Sequence, residues 1–540
     1  MERVIVVGAG VGGLASAIRL QNDGYDVTLF EKEPRAGGKM NRIVEDGFTF
    51  DVGPTIVMMP ELYREVFELA GRDPDDYIPM VAVEPLMDIS FSADERVRLS
   101  NNLADITATL ESVSERDTEG YLRYLGVLYK RFLIAKNNFL QRSFRGPLDF
   151  YNPKSLVAGL RLHTLGDAYS SVSRYVADER LRKSLAFQTL YIGISPYEGP
   201  SLYMIIPMIE LLYGVWYMPG GMYTMAEGMA RLFQELGGDL RTSSPVEEIV
   251  VRRGRAKGVI VDGAFYPADA VVCAADFPYA MKHLVKDERA RGSYTDEKID
   301  SMDYSCSCFI LYLGLDKQYP AESLHAIRFA SDFKKNVTDI FDEGRFPDDP
   351  SFYLYAPSVI DPALAPEGMQ GLYVLVPVAC LPEEGADWSE EAVASFRERV
   401  LDLVEQETAY DDVRDHIVYE KLYTPADFAE RFNAYRGATF GLRPTLLQSN
   451  YWRPHNKAEH CKGLYFCGSS THPGAGVPIV LLSARLAAEE LRRDDRSRRK
   501  RAGAARRAAK ASEGCMSGRN SSAAEGRASE AAALGKEGSR

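Results

Sequence analysis

Glycines at fixed spacing near the start of the chain provide a site for a dinucleotide. The run Gly-Ala-Gly-Val-Gly-Gly stands between an apolar strand-like stretch, Val4 to Val7, and an apolar-periodic helical stretch, Leu14 to Asn22. In such a turn glycine permits the tight bend, the close approach of a pyrophosphate and the packing of helix on strand. The candidate binding residues are Gly8, Ala9, Gly10, Gly12 and Gly13. The phosphates should face the N-terminus of the helix.

One acidic residue stands where the ribose of a dinucleotide needs a partner. A second strand-like stretch, Val27 to Phe30, follows the helix, and Glu31 comes directly after it, 18 residues beyond Gly13. A carboxylate at this place accepts hydrogen bonds from ribose hydroxyls. Strand, turn, helix, strand and acid in this order predict a Rossmann-like βαβ unit, and a merely glycine-rich turn is the less favoured interpretation.

Two further segments favour FAD over NAD. Gly38 and Lys39 belong to a second flexible loop with a cation, and the small residues around Gly53 and Pro54 allow the backbone to approach a flat ring. No second Gly-x-Gly-x-x-Gly follows a strand elsewhere in the sequence, so we expect no separate nicotinamide domain. The electron acceptor should then diffuse in, as oxygen or a quinone does.

A glycine-rich loop near the end of the apolar sequence completes the predicted FAD site. It runs from Gly468 through Gly476 to Val477, after a strand-like stretch and before a helical stretch with Pro478 near its start. The positive N-terminus of that helix, directed at the pyrimidine end of the flavin, would stabilise the anionic reduced ring. We interpret His472 in this loop as a hydrogen-bonding positioner rather than a base.

The chain between these segments predicts further elements. From Glu119 to Leu212 apolar residues recur every three or four positions, which predicts helices. Between about Tyr304 and Val418 strand-like runs alternate with helices. The strand Leu464 to Cys467 and the helix after it should return to the first domain.

Composition excludes several classes of function. A chain of 540 residues with 46% apolar residues builds a large core, and a net charge of −13 argues against nucleic acid as a partner.

Seven dispersed cysteines, and a first apolar run that ends in a glycine turn rather than a cleavage site, favour reduced thiols and the cytoplasm. Cys306 and Cys308 lack a second ligand pair, so no metal site is expected. The longest apolar run, Tyr203 to Met218, contains Pro207, Glu210 and Gly214, which argues against a membrane-spanning helix.

Two segments are locally rich in basic residues. Residues 492–540 hold 14 basic and six acidic residues among Ala, Gly and Ser, which predicts a disordered tail, with an electrostatic membrane tether as the alternative. The segment from Tyr121 to Arg161 holds eight aromatic residues and one acid, Asp149. Its basic residues are Arg123, Lys130, Arg131, Lys136, Arg142, Arg145, Lys154 and Arg161. We interpret this segment as a patch that lies on the inner face of the cell membrane.

The sequence from Met1 to about Leu491 resembles the bacterial and fungal type of carotenoid (phytoene) desaturase. Four stretches are similar to the subgroup that acts on the C30 precursor 4,4'-diapophytoene: Phe48 to Pro60, Leu185 to Ile194, Gly199 to Glu210 and Phe440 to Tyr451. The resemblance implies an α/β fold like that of the flavin amine oxidases. It also implies that Val246 joins the predicted residues at FAD, and that Lys39 stands where an arginine is usual.

The domains expected from the sequence patterns and the resemblance are discontinuous. The Rossmann-like FAD-binding domain takes 1–70, 215–275 and 445–491, and a mixed-sheet substrate domain takes 71–118 and 276–444. A helical, membrane-facing region takes 119–214, and the tail takes 492–540.

The chemistry expected is desaturation of a long acyclic isoprenoid held against the flavin. An allylic hydrogen leaves as hydride because the resulting cation is delocalised, and a vicinal proton follows. Glu210 is the candidate acceptor of that proton, since it is the only charge in its apolar run, although a carboxylate satisfied by its neighbours is an equal alternative. An aromatic wall for the substrate is predicted from Tyr203, Tyr213, Trp216, Tyr217 and Tyr223, with ordinary core as the alternative.

Other functions stay open at this point. The C30 chain is favoured over C40 phytoene by resemblance alone. A carotenoid oxidase or isomerase would use almost the same sequence. A flavin amine oxidase would need a cage or carboxylates for a cationic substrate. A prenyl-binding protein of the GDP-dissociation-inhibitor fold would not need the flavin loops.

Overall fold

The structure is a computed structural model, and it describes residues 2–92, 95–162, 166–320, 323–381 and 387–500. The chain divides into two units, 1–488 and 489–540. Among the described residues of the second unit, 489–500 are helical, so the expectation of a disordered tail from Arg492 is wrong for 492–500. The remainder of that tail, 501–540 with Cys515, lies outside the described residues.

A parallel sheet carries the glycine turn. Its described strands are ordered Leu464–Phe466, Ala270–Cys273, Arg3–Val7, Asp26–Phe30 and Asp239–Arg241, and each neighbouring pair is parallel. The strand Arg3–Val7 lies at the centre, where apolar residues are buried on both faces, as is typical of parallel sheets. All five strands come from the ranges predicted for FAD binding, and they confirm the Rossmann-like α/β class.

A second, mixed sheet forms the other large core. Its described strands are ordered Ile417–Tyr423, Ser307–Leu315, Gln370–Val378, Phe352–Tyr355, His325–Arg328, Met87–Ser90 and Arg96–Leu99. Its neighbours pair antiparallel except His325–Arg328 with Met87–Ser90, which are parallel. The strand Ser307–Leu315 is buried along its whole length because Gln370–Val378 and Ile417–Tyr423 flank it and helix Glu390–Glu407 packs nearby. These strands come from 71–118 and 276–444.

Smaller strand groups connect the two cores. An antiparallel sheet joins Val246–Val251, Ala256–Val261 and Ala264–Pro267. A hairpin joins Arg42–Glu45 with Phe48–Asp51. A third group pairs Val81–Val83 with Val215–Tyr217, which links a range predicted for the substrate domain to one predicted for the FAD-binding domain.

Helices of eight or more residues cover these sheets. They are Val11–Asn22, Pro60–Glu68, Leu103–Val113, Glu115–Ala135, Pro153–Leu162, Glu179–Ala186, Ile205–Tyr213, Tyr223–Glu235, Phe333–Phe341, Glu390–Glu407, Pro425–Phe432 and the helical residues 477–488. The longest helix of the 119–214 region begins where Ser114 Oγ accepts from the N–H of Asp117, a standard N-cap. None of the described helices is both long enough and apolar enough to cross a membrane.

Candidate functional site

A cavity of about 580 Å³ is lined by residues of both large sheets and of the loops around them. Most residues predicted at FAD line it: Gly8, Gly10, Gly12, Glu31, Gly38, Lys39, Gly53, Pro54, Val246, Gly468, Gly476 and Val477. Ala9 and Gly13 are not among the lining residues, and both support the turn from behind. The separate segments of sequence that predicted one site are therefore brought to one cavity.

The N-terminal turn has the close packing that a pyrophosphate site requires. Gly8 adopts a φ of 89°, and a Cβ on Gly13 would lie 1.8 Å from the Gly8 carbonyl oxygen, which no side chain tolerates. Helix Val11–Asn22 begins directly after the turn, without a side-chain cap on its first N–H groups. Those N–H groups are available to an anion at the helix N-terminus.

Glu31 is fixed by the backbone around it. The N–H of Ala9 donates to Glu31 Oε2 at 2.6 Å and the N–H of Glu33 donates to Oε1 at 2.9 Å. Burial raises the pKa of the Glu31 carboxyl, while these two donors oppose the rise. The carboxylate is thus held rigidly at the cavity surface, with lone pairs left for ribose hydroxyls.

Lys39 brings a buried cation to the same end of the cavity. Its Nζ donates to the carbonyl oxygen of Thr439 at 2.7 Å. Burial lowers the pKa of Lys39, and the nearby carboxylate of Asp276 opposes that shift. Asp276 also lines the cavity, and its Oδ1 accepts from Ser470 Oγ at 2.7 Å. The pair therefore connects the second glycine loop to the C-terminal loop.

A buried arginine holds the C-terminal loop in shape. The guanidinium of Arg453 donates to the carbonyl oxygens of Thr471, Ser469, Gln448 and Leu442, at 3.3, 2.5, 3.0 and 3.0 Å. Burial lowers its pKa to about 10. The loop ends at Gly476, with a φ of 98°, and the helix from 477 follows. That helix presents its N-terminus to the cavity, since Val477, Pro478 and Ile479 are lining residues.

His472 belongs to this loop but is not a lining residue. Its peptide bond to Pro473 is cis, its side chain is buried, and its Nε2 donates to the carbonyl oxygen of Arg142 at 2.9 Å. Burial lowers the pKa of His472 to about 4. These contacts agree with the interpretation of His472 as a positioner.

Tyrosines of the mixed sheet fix the segment around Gly53. Tyr312 Oη donates to the carbonyl oxygen of Val52 at 2.6 Å, and Tyr373 Oη donates to that of Gly53 at 3.2 Å. Tyr353 Oη lies 2.7 Å from Thr55 Oγ1. The backbone that was predicted to approach a flat ring is therefore anchored to the substrate-side sheet, at the junction of the two large cores.

The rest of the cavity is an apolar chamber. Its wall includes Phe132, Leu190, Ile206, Ile209, Ile327 and Leu375. Of the described lining residues, the acids are Glu31, Glu33 and Asp276, all of which belong to the dinucleotide end. The chamber wall therefore has no carboxylate for a cationic ligand, and its surface suits a hydrocarbon.

Glu210 lies behind this wall rather than on it. The residue is fully buried in helix Ile205–Tyr213, and Gln188 Nε2 donates to its Oε2 at 2.9 Å. Burial raises the pKa of Glu210 to about 7. Within the described part of the chain neither Glu210 Oε1 nor Gln188 Oε1 has a hydrogen-bond partner. Full burial and the absence of a partner for Oε1 among the described residues are consistent with a neutral Glu210.

The predicted aromatic wall forms only in part. Tyr203 lines the cavity, and its hydroxyl lies 2.8 Å from Ser449 Oγ. Tyr213 is exposed, Trp216 is half-buried, and Tyr217 donates to Asp361 at 2.9 Å. Tyr223 stacks against the guanidinium of Arg42. The prediction is therefore wrong for these four residues, because the chain turns away from the cavity after helix Ile205–Tyr213.

Large apolar side chains are exposed near Ser449, which contacts the lining residue Tyr203. Leu148 is 84% exposed and Leu447 is 76% exposed, and both neighbour an aromatic cluster. In that cluster Phe150 contacts Tyr451 and Trp452, with ring centroids 5.8 and 5.3 Å apart. We name this the apolar rim, and its exposed members are Leu148, Tyr151, Val157, Leu446, Leu447 and Trp452. Leu446, Leu447 and Trp452 of the rim lie in or beside the stretch Phe440 to Tyr451, whose resemblance to the C30 subgroup gave no indication of an exposed apolar surface.

The basic segment that predicted a membrane patch keeps only part of its charge at the surface. Lys130, Arg142 and Arg145 are exposed and Lys136 is half-buried, whereas Arg123 pairs with Glu119. Arg131 is only 8% exposed, so the expectation that it meets lipid headgroups is wrong. The side chains of Lys154 and Arg161 are outside the described part of the chain.

Four residues at or near this cavity were not found from the sequence: Asp276, His325, Tyr353 and Arg453. Asp276 follows the buried strand Ala270–Cys273, and the carboxyl ends of parallel strands meet at one edge, so strand order would have pointed to it. The other three act through contacts between distant segments, and no local pattern identifies them.

Comparison with known proteins gives one consistent result. A model of the family described as flavin containing amine oxidoreductase matches residues 11–492. The chain is 46% identical over 495 residues to a 4,4'-diapophytoene desaturase (4,4'-diaponeurosporene-forming) of Staphylococcus haemolyticus, covering 91% of this chain and 99% of the relative. A Staphylococcus aureus protein of the same description is 44% identical over 497 residues, with the same coverage. A solved oxidoreductase from Methanosarcina mazei has a similar fold, with a TM-score of 0.59, 17% identity and coverage of 90% and 100%.

Proposed function

The chain belongs to the 4,4'-diapophytoene desaturases within the flavin-containing amine oxidoreductase family, and from this premise we propose that it is an FAD-dependent desaturase of a C30 carotenoid precursor. The observation that carries the proposal is the shared cavity. One end presents the glycine turns, Glu31 and a helix N-terminus, and the other is an apolar chamber. A hydrocarbon in the chamber would therefore lie against the ring of a dinucleotide held at the other end.

FAD is the cofactor that these residues fit best. Glu31 would accept the ribose hydroxyls, and the N–H groups at the start of helix Val11–Asn22 would meet the pyrophosphate. The N-terminus of the helix from 477 would face the ring. When bound, FAD supplies hydride acceptance. The chain supplies binding, orientation against the ring and a chamber from which water is excluded.

The chamber favours a hydrocarbon over an amine. A cationic substrate would need a carboxylate or an aromatic cage beside its nitrogen. The described acids of the cavity all lie at the dinucleotide end, where Glu31 and Asp276 have structural partners. We infer that Glu210, which lies behind the wall and bonds Gln188, positions the two chain segments that carry lining residues Tyr191 and Ile209.

We propose that the substrate enters from a membrane. An acyclic isoprenoid partitions into lipid, and the apolar rim with the exposed cations Lys130 and Arg142 would bring the chamber to the inner face of the cell membrane. The electron acceptor would then be a membrane quinone or dissolved oxygen.

Pigment formation tests the proposal. The chain expressed in a colourless host that supplies 4,4'-diapophytoene should yield extract with the absorption bands of a conjugated polyene. Gly13→Val is the matched inactive control, since its Cβ would lie 1.8 Å from the Gly8 carbonyl oxygen. An unchanged precursor would contradict desaturation, and a product altered only in geometry or oxygen content would favour an isomerase or an oxidase.

Competition between precursors tests the chain length. In lipid vesicles holding both precursors, the C30 chain should be converted faster than C40 phytoene. Additional isoprene units that the chamber has to accommodate would move the allylic carbon out of register with the ring, and a misplacement of about 1 Å can cost on the order of a hundredfold in rate. Equal or faster conversion of the C40 chain would overturn the C30 assignment and leave desaturation in place.

A further inference from the structure

A buried hydrogen-bonded chain of three side chains ends at the cavity. Thr55 Oγ1 lies 2.7 Å from Tyr353 Oη, and Tyr353 Oη lies 2.7 Å from His325 Nδ1. His325 is fully buried, and its ring stacks on that of Tyr355 with centroids 5.4 Å apart. Its Nε2 has no hydrogen-bond partner within the described residues. The stacking fixes the imidazole so that Nδ1 faces Tyr353.

This chain reaches the cavity where its two ends meet. Thr55 and Tyr353 are lining residues, and His325 is not. Thr55 belongs to the anchored segment that is expected to approach the flavin ring, and Tyr353 is flanked by the chamber residues Phe352 and Ile327. When one carbon of the substrate faces the ring, the adjacent carbons of the substrate would therefore lie close to the Tyr353 hydroxyl.

Within the described residues, four other hydroxyls of the chamber wall have no carboxylate or imidazole as a partner. Tyr373 donates to the carbonyl oxygen of Gly53, and Tyr203 lies against Ser449 Oγ. Tyr191 donates to the sulfur of Met87 at 3.9 Å, and Ser351 Oγ accepts from the N–H of Ala330 at 2.8 Å. Among these described hydroxyls, Tyr353 is the one that contacts an imidazole.

On the basis of the proposed desaturation, we propose that Tyr353 accepts a proton from the substrate. That proton leaves the carbon adjacent to the carbon from which hydride is removed. His325 is the positioning residue that makes this proton transfer possible. The C–H bond of that neighbouring carbon breaks, its electron pair forms the new C=C bond, and its proton bonds to Tyr353 Oη. The hydrogen that Oη carried moves along the hydrogen bond to His325 Nδ1. Neutral His325 carries its own hydrogen on Nε2 before this step.

The imidazole is required because the phenol cannot act alone. Burial raises the pKa of the Tyr353 hydroxyl, so Tyr353 is neutral and must release one proton as it accepts another. Burial also lowers the pKa of His325 to about 3, so the imidazolium would hold its proton only briefly. The substrate cation is a far stronger acid than an imidazolium, which makes the transfer downhill.

The proton has a destination when the cycle closes. Each double bond formed releases two electrons and two protons, and a quinone or oxygen as final acceptor would take up the same number of each. One of the two protons is the one held by the relay, and it would leave from His325 through Tyr353. The relay therefore balances the reaction within the cavity.

Single-turnover flavin reduction tests the relay. Anaerobic enzyme with bound FAD is mixed with vesicles that hold 4,4'-diapophytoene, and bleaching of the flavin is followed. Loss of a general base costs roughly a hundredfold to ten-thousandfold in rate, and we expect a loss in this range for Tyr353→Phe. The matched control is Tyr410→Phe, which removes a buried hydroxyl that accepts from Gln370 at 3.2 Å in the same domain, off the cavity. We expect it to reduce at the wild-type rate.

His325→Gln provides the second arm. Glutamine keeps Tyr353 in place and accepts its hydrogen bond, but it cannot hold a proton. We expect the limiting rate of flavin reduction to fall at least tenfold while the half-saturating substrate concentration stays unchanged. A merely structural role would shift both. Two measurements report on the site independently of activity: the FAD content, and the rate of deuterium exchange at the His325 ring C2–H, followed by mass spectrometry without turnover. In Tyr353→Phe this exchange rate should differ from that of the wild type, because His325 Nδ1 has lost its hydrogen-bond partner.

The outcomes separate clearly. A wild-type reduction rate in Tyr353→Phe overturns the relay. If Tyr353→Phe loses FAD or fails to fold, His325→Gln decides: a wild-type limiting rate overturns the relay, and a reduced limiting rate with unchanged half-saturation supports it. A wild-type enzyme that does not reduce its flavin with the C30 precursor contradicts the proposed function instead.

Discussion

At the scale of single residues, Glu31 is the carboxylate on which retention of the dinucleotide depends. Glu31→Arg removes the acceptor of the ribose hydrogen bonds and also the acceptor of the Ala9 and Glu33 N–H groups, and it buries a cation beside Lys32. We expect purified Glu31→Arg to lack FAD, as judged by absorbance of the flavin per protein. Glu68→Arg, an exposed position of helix Pro60–Glu68, is the control and should stay yellow. Wild-type flavin content in Glu31→Arg would falsify the assignment.

Glu210 is the residue whose protonation should appear in the pH dependence of stability. Its folded-state pKa, about 7, lies above the ordinary value of 4.5, because the carboxyl is buried. Between these values the unfolded chain has released the proton and the native chain still holds it. Native stability therefore falls as pH rises from 4.5 to about 7, by on the order of 3 kcal/mol, and no further above.

Glu210→Gln should remove this contribution. The amide oxygen can still accept from Gln188 Nε2, and the amide does not titrate, so this position stays neutral at every pH. We expect the variant to lose less free energy of unfolding than the wild type between about pH 5 and about pH 7, measured by urea denaturation. Asp51, whose pKa burial also raises to about 7, contributes with the same sign in both proteins. If the free energy of unfolding changes equally with pH in variant and wild type, Glu210 is ionised in the native state.

At the scale of elements, the C-terminal loop depends on one side chain from outside it. Arg453→Ala leaves four buried carbonyl oxygens without their donor, so the free energy of unfolding should fall by on the order of 3 kcal/mol. FAD content should fall too, because Ser469 and Thr471 belong to the loop that lines the cavity. Denaturant unfolding and flavin absorbance measure both effects. Arg289→Ala, at an exposed position, is the control and should change neither.

Elements of this site differ in how far the sequence predicts them. The glycine turn, Glu31 and the loop ending at Gly476 were predictable, because a tight turn before a helix imposes residue types locally. The strands and the helix around the turn also follow from apolar periodicity, as for Leu14 to Asn22, which lies within helix Val11–Asn22. Contacts of Arg453, and of Tyr353 with Thr55, which lies 298 residues away in the sequence, arise only when distant segments fold together. Periodicity carries no information on such pairs.

At the scale of the whole molecule, the surface expected to meet the membrane, a patch of aromatic and basic residues from Tyr121 to Arg161, keeps part of its charge and gains the exposed residues of the apolar rim. Lys130 and Arg142 are exposed, and Arg131 is buried. The rim residues Leu148 and Leu447 are the most exposed of the large apolar side chains in the described chain. Burying one such side chain in lipid stabilises the bound state by roughly 1.5–3 kcal/mol, whereas a basic residue near an anionic surface contributes about 1 kcal/mol. The rim should therefore dominate binding.

This ranking gives the last prediction. Vesicle sedimentation of a variant with Leu148→Ser, Leu447→Ser and Trp452→Ser should fall strongly on neutral and anionic lipid alike, because the change removes apolar contact. Lys130→Glu with Arg142→Glu should weaken binding to anionic lipid only, and added salt should have the same effect, since salt screens surface charge. Both variants should keep wild-type FAD content, because none of the five residues lines the cavity. Binding that survives the serine substitutions but disappears in salt would show that charge, and not the rim, holds the protein to the membrane.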